Sequence, residues 1–150
     1  EVVLRSVVEG PHPLRVSGLT PGLRGAAHCR ASGKAMLAYL EESELLRYLR
    51  THSLAPLTDR SITDVQRLRE DLERIAQQGF AEDLGEFAPD ICCVAAPYFD
   101  AQGKVAGALT ISMPLFRHSQ KGPQVAAAVL AAGEQASRAM GYAGSYPPHK

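Results

Sequence analysis

Ile91-Cys92-Cys93-Val94-Ala95-Ala96-Pro97-Tyr98-Phe99, then Asp100-Ala101-Gln102-Gly103, then Lys104-Val105-Ala106-Gly107-Ala108-Leu109-Thr110-Ile111-Ser112-Met113, is the stretch that decides the fold. Two apolar runs rich in small and β-branched side chains flank four residues of turn chemistry. Gly103 is free to adopt a left-handed conformation, so the stretch reads as a β-hairpin. Both runs are nearly continuous in apolar side chains, which predicts cover on both faces of the sheet. Ala95, Ala96, Ala106, Gly107 and Ala108 leave room for a helix or a ligand to lie close. Side chains alternate along a strand, so Thr110 and Ser112 share a face. A core strand does not need those hydroxyls, and they mark that face as a polar floor for recognition.

Upstream of the hairpin, Phe80 to Leu84 reads as a strand and Gly85 to Asp90 as an acidic loop with Pro89. A long helix precedes them, from Asp64 to Gln78. Thr63 is placed to cap it, Val65, Leu68, Leu72 and Ile75 recur at spacings of three and four, and Gly79 ends it. Earlier helices are expected over Ala31 to Leu40 and over Ser43 to Arg50, the second with Ser43 as cap and Leu45, Leu46 and Leu49 as its apolar stripe. Val2 to Val8 and Leu14 to Ser17 read as strands. His52 to Arg60 and His118 to Gly122 read as loops. Pro123 opens an Ala-rich last helix reaching Met140, and 142–150 is expected as a frayed tail. This order implies an α+β domain over 1–141, with a mainly antiparallel central sheet and helices on both faces.

The chain has 150 residues, 45% apolar and 21% charged, with a formal net charge of zero. One domain with a real core is the natural size. Zero net charge gives no electrostatic footprint for nucleic acid or for an anionic membrane, and no apolar run approaches membrane-spanning length. The chain begins with Glu1 inside an apparent strand, which reads as a fragment whose N-terminal part lies elsewhere. Cys29, Cys92 and Cys93 are odd in number, and adjacent strand positions diverge, so a reduced, cytoplasmic setting is expected.

Chemistry has few places to reside. His28-Cys29-Arg30-Ala31-Ser32-Gly33-Lys34-Ala35 opens a helix through small residues. Its unpaired N–H groups at Ala31, Ser32 and Gly33 favour an anion, and the plainer alternative is a tight helix start packed on the sheet. Asp83, at the end of a strand, is either a polar contact to a ligand, a hydrogen-bond anchor for the pocket, or a solvated carboxylate. Cys93 is either a pocket wall, a redox thiol or a small buried hydrophobe. A zinc site from His28, Cys29, Cys92 and Cys93 has no matching spacing, and no metal or cofactor is expected. No catalytic motif is present: neither Gly-x-Ser-x-Gly, nor His-Glu-x-x-His, nor a glycine-rich phosphate loop.

His28 through Ala35 resembles the H-x-x-A-x-G-K-A motif of IclR-type transcriptional regulators. Ser61-Ile62-Thr63-Asp64, Gln78-Gly79-Phe80-Ala81 with Asp83, Cys93-Val94-Ala95-Ala96-Pro97 with Phe99-Asp100 and Gly103, and Leu109-Thr110-Ile111-Ser112 follow in the same order. The likeness is to the C-terminal effector-binding domain. It implies a GAF-like fold, a cavity for a small metabolite such as an organic or aromatic carboxylate, and homodimers or homotetramers. It also implies operator DNA bound through a winged helix-turn-helix that this chain lacks, and no enzymatic activity. The resemblance places ligand contacts at Ala31, Ser32, Asp83, Ile91, Cys93, Thr110 and Ser112, with Leu14, Leu19 and Leu23 as further wall. Cys92 departs from the family, where Arg is frequent. Rival readings are a thiol enzyme on the same scaffold, such as a sulfoxide reductase, and a dimerisation module without ligand.

The hairpin carries a tension of its own. If Asp100 pairs with Lys104, Cys93 pairs with Ile111 and faces away from Thr110 and Ser112. A shared site needs the other parity, which predicts a register shift, through a different turn or a bulge between Cys93 and Thr110.

Overall fold

The computed structural model describes residues 2–11 and 18–149. After a 3-10 turn at Ala27–Cys29 come α1 (Ala31–Leu37), α2 (Glu42–Thr51) and α3 (Val65–Gln78). Then follow β1 (Ala81–Leu84), β2 (Ile91–Phe99), β3 (Val105–Pro114), a 3-10 turn at Leu115–Arg117 and α4 (His118–Ala139). Among the described residues the sheet is antiparallel in the order β1-β2-β3. This is the expected α+β architecture, with helices on both faces.

Alternation along β2 divides the core in two. Cys93 and Ala95 join Ala27, Ala31 and Ala35 beneath α1, together with Leu68, Leu72 and Ile75 of α3. Cys92, Val94 and Ala96 join Met113 and, from α4, Ala126 and Val129. The two neighbouring cysteines thus lie in different halves of the core. Of the apolar stripe of α3, Leu68, Leu72 and Ile75 are buried while Val65 is exposed. Asp64 caps that helix in place of Thr63, accepting the Arg67 N–H at 2.9 Å. Gly79 ends it in the left-handed region at φ 85°. No helix among the described residues is long and apolar enough to cross a membrane.

The hairpin closes as its turn chemistry requires. Asp100 N–H donates to the Lys104 carbonyl, and Asp100 Oδ1 accepts from Gln102 and Lys104 N–H, each at 2.9 Å. Phe99 then pairs with Val105, but Tyr98 pairs with Gly107, leaving Ala106 as an extra residue. Beyond this bulge Ala95 faces Thr110 and Cys93 faces Ser112. The parity required for a shared site is therefore present.

Several elements differ from expectation. Val2 to Val8 forms no strand: Val3 makes an isolated antiparallel bridge with Arg24, flanked by Leu4 N–H to the Leu23 carbonyl at 3.0 Å. With no longer ladder to hold it, the segment ends exposed, Val8 at 93%. The expected strand Leu14 to Ser17 lies outside the described residues. Helix α1 stops at Leu37, short of Leu40, and α2 begins at Glu42 with Glu41 at its cap position, so Ser43 lies inside its first turn. Helix α4 starts at His118, and Pro123 is internal to it. The first turn of α4 is fastened to the sheet by His118 Nε2 and Glu82 Oε1, 2.7 Å apart.

Residues 142–149, expected as a frayed tail, fold back over the hairpin. Strand β1 begins opposite Ala95, which leaves the edge of β2 from Ala96 to Phe99 unpaired by it. Tyr146 Oη donates to the Pro97 carbonyl at 2.8 Å, and Phe99 N–H donates to Ser137 Oγ at 3.1 Å. These side chains replace the missing ladder bonds, as buried backbone groups demand. Gly133 lacks a side chain where the Tyr146 hydroxyl and the Pro97 carbonyl approach α4.

Gly33 is the closest contact of α1. A methyl group there would collide with the Ala27 main chain. Gly33→Ala is expected to lower stability by about 1–3 kcal/mol, the cost of overpacking a filled interior. Urea unfolding monitored by circular dichroism measures it.

Candidate functional site

The register assembles one row across the sheet. Asp83 pairs with Cys93 and Cys93 with Ser112, so the three side chains lie side by side on the α1 face. Cys93 Sγ and Ser112 Oγ are 3.1 Å apart. Thr110 lies on the same face, next along β3 and opposite Ala95, and Ile91 lies next along β2, opposite Pro114. Asp83 and Cys93 are buried, Ile91 and Ser112 half-buried, and Thr110 exposed. Small residues of α1 and its preceding turn, Ala27, Ala31 and Ala35, pack over this face. Ala31 is buried and Ser32 half-buried at the start of α1, whose cap position carries no side-chain hydrogen bond. Gly33 follows in the same turn, and its missing side chain admits the Ala27 main chain. Leu19 and Leu23 are half-buried, and Leu14 lies outside the described residues.

Two clefts lie elsewhere on the domain. One, of about 500 Å³, lies between α1, α2, α3 and residues 145–149. The other, of about 290 Å³, is lined by Ile62, Arg67, Glu70, Asp71 and Arg74.

Behind the row lies a charge cluster that sequence patterns did not disclose. Lys34, 1% exposed, places Nζ at 2.6 Å from Glu86 Oε1 and 2.9 Å from Asp71 Oδ2. A buried ammonium is tolerable only when so paired. Arg74 also contacts Asp71. Asp83, 1% exposed, accepts the N–H groups of Glu86 at 2.7 Å and Phe87 at 3.2 Å through Oδ1. Thr58 and Ser61 hold the adjoining main chain, donating to the Gly85 carbonyl at 2.7 Å and the Glu86 carbonyl at 2.8 Å. Burial pushes the Glu86 carboxyl up to about 7, against the pull of Lys34. Burial also raises the Asp83 carboxyl, against its two N–H donors and Lys34. Burial acts in the same sense on Asp71, but Lys34 and Arg74 together bring its carboxyl below the ordinary value. A helix-start Lys within an apolar motif was the available signal, since Lys is almost never fully buried unless paired.

His28 is buried too, and its Nε2–H donates to the Ala55 carbonyl at 3.0 Å, fixing the loop before α3. Desolvation holds its imidazole below the ordinary value. Cys29, Cys92 and Cys93 are free thiols, and Cys92 faces α4, away from the row. Burial raises the thiols of Cys92 and Cys93 to about 12 each. No group of three or more His, Cys, Asp or Glu among the described residues is arranged to hold a metal ion.

The fold is that of the C-terminal domain of bacterial transcriptional regulators. It superposes on IclR of Thermotoga maritima with a TM-score of 0.84 at 32% identity, covering 90% of this chain and 55% of that one. Residues 4–138 match the family model described as bacterial transcriptional regulator IclR C-terminal. The chain belongs to that family, which is regulatory and not enzymatic. It is 41% identical over 99 residues to the HTH-type transcriptional regulator BhcR of Paracoccus denitrificans, covering 66% of this chain and 36% of that one. It is 34% identical over 122 residues to the HTH-type transcriptional regulator KdgR of Escherichia coli, covering 81% and 46%. The chain thus spans less than half the length of these two relatives.

Two expectations follow from the charges. Thiols held at about 12 are almost wholly protonated near neutrality, so iodoacetamide at about pH 8 should label Cys92 and Cys93 at least a hundredfold more slowly than a free thiol does. Mass spectrometry over time measures the rate, and fast labelling of either would restore the thiol-enzyme reading. For stability, the Glu86 carboxyl lies above its ordinary 4.5 in the folded chain, so folding favours its protonated form. That contribution is complete below the ordinary value and is lost as pH rises through about 7. The unfolding midpoint should fall from about pH 5 to about pH 8, and Glu86→Gln should flatten the decline.

Proposed function

We propose that this chain is the effector-sensing domain of a cytoplasmic transcriptional regulator, and that its effector is a small carboxylate. The observation that carries this reading is the bulge-shifted register, which gathers Asp83, Cys93, Ser112 and Thr110 on one face. Hydroxyls serve as donors to a carboxylate, and such charge-assisted bonds are stronger than neutral ones. The N–H groups of Ala31 and Ser32 lie at the start of the helix packed over that face and add partial positive charge. Ile91 supplies apolar wall. The packing of Ala27, Ala31, Ala35 and Ala95 favours a compact acid over an aromatic one. In this reading homodimers or homotetramers transmit occupancy to operator DNA through a helix-turn-helix domain outside this chain. Occupancy matters only if the ligand prefers one arrangement of subunits. The burial of Cys92 and Cys93 argues against a thiol enzyme, and a polar row beneath α1 argues against a ligand-free dimerisation module.

Calorimetric titration of the chain with a panel of small carboxylates tests the proposal. Thr110→Val and Ser112→Ala should each weaken the best binder by roughly fivefold to a hundredfold, the worth of one hydrogen bond to a charged group. Unchanged affinity in both variants would remove the row from the site.

A further inference from the structure

We propose that Glu86 is a proton-exchanging positioning residue that governs the charge and orientation of Asp83, and through Asp83 the acidic end of the effector site proposed above. The geometry joins the two carboxyl groups through one turn. Asp83 Oδ1 is fastened to the Glu86 N–H at 2.7 Å, while Glu86 Oε1 is fastened to Lys34 Nζ at 2.6 Å. The main chain between them is clamped by Thr58 and Ser61, so neither side chain swings away without breaking several bonds.

The groups facing Glu86 can be named from every side. Helix α1 presents Lys34, and α3 presents Asp71 with Arg74 attached. Strand β1 presents Asp83, and the 3-10 turn presents Cys29, with His28 in the field of Lys34. Three carboxyl groups therefore share one buried ammonium, and only Asp71 has a second cation. Asp83 Oδ2 and Glu86 Oε2 are buried with no hydrogen-bond partner among the described residues. An ionised carboxylate with an empty buried oxygen is costly, and two such groups side by side cannot both ionise cheaply. One proton relieves both. It resides mainly on Glu86, whose carboxyl lies at about 7, and the titration belongs to the pair.

The consequence for sensing rests on the carboxylate reading, whereas the coupling does not. An anion arriving beside Asp83 adds like charge, so binding draws a proton onto the pair, and affinity falls as pH rises through neutrality. With the pair protonated, one negative charge fewer stands behind the site to repel the ligand.

Carbon-13 NMR of the side-chain carboxyl groups in the ligand-free chain decides the coupling. In the wild-type chain Glu86 should titrate near neutrality, and the Asp83 signal should show an inflection at the same pH. In Glu86→Gln that inflection should vanish and Asp83 should titrate lower. Asp83→Asn should lower the Glu86 transition in turn. A purely structural Glu86 would leave the Asp83 curve unmoved, and that result, or a Glu86 transition near 4.5, overturns the proposal. The wild-type curves alone decide if a variant does not fold. Acetate and pyruvate binding at about pH 6 and about pH 8 forms the second arm. The wild-type affinity should fall by up to about tenfold per pH unit, and Glu86→Gln should be nearly flat. If neither acid binds at any pH while the shared inflection is present, the carboxylate reading fails and the coupling stands.

Discussion

Everything on the α1 face depends on one constraint, the strict two-residue pleat of a β-strand. Asp100 and Lys104 close the turn, and an unbroken ladder from there would set Cys93 opposite Ile111. The single extra residue, Ala106, changes the sum of paired numbers by one and turns the distal part of β3 over. Without that step the two hydroxyls of β3 would face α4, and the acid and thiol of β1 and β2 would have no polar neighbour. The bulge lies beside Gly107, whose missing side chain leaves room for the Tyr98 ring. On the opposite edge, Ser137 and Tyr146 grip the stretch of β2 that faces the bulge. The irregularity is thus held from both sides.

The second organising interaction is the burial of Lys34. The Gly-Lys pair of the α1 motif divides two tasks between adjacent residues. Gly33 lets the helix approach Ala27, and Lys34 reaches inward to tie α1 to α3 and to the turn after β1. An ammonium in a dry interior does not improve on a well-packed apolar residue by its Coulomb energy alone. What it adds is specificity of arrangement: three elements that carry the row and its roof are referred to one atom. Because the three carboxyl groups outnumber the cations close to them, the cluster is also poised for proton exchange.

The sequence disclosed the elements whose signal is local. The period of α3, the Gly79 stop and the turn at Asp100–Gly103 are each written within a few residues, and all appear where expected. The bulge was legible because two independent readings, turn closure and a shared polar face, disagreed by one residue. Other features depend on partners distant in the chain. Nothing near Lys34 announces Asp71 or Glu86, since the pairs span dozens of positions. His118 could extend α4 backward past Pro123 because Glu82 stands below it, which no local propensity encodes. The strand pattern of Val2 to Val8 failed in the opposite sense: alternation was present, but only Val3 found a bridge.

The closing residues bear on where this domain ends. By composition, 142–149 reads as expendable, a short polar run with glycine and proline. In the fold, Tyr142 and Tyr146 pack around Phe99, which also meets Tyr39 edge-on with ring centres 5.0 Å apart. Helix α4 leaves a glycine-sized notch for the second of these tyrosines. A boundary drawn at Gly141 on hydropathy would cut through an aromatic knot and strip a fully enclosed phenyl ring of two of its neighbours. What these residues touch, and not their composition, makes them part of the packing around Phe99.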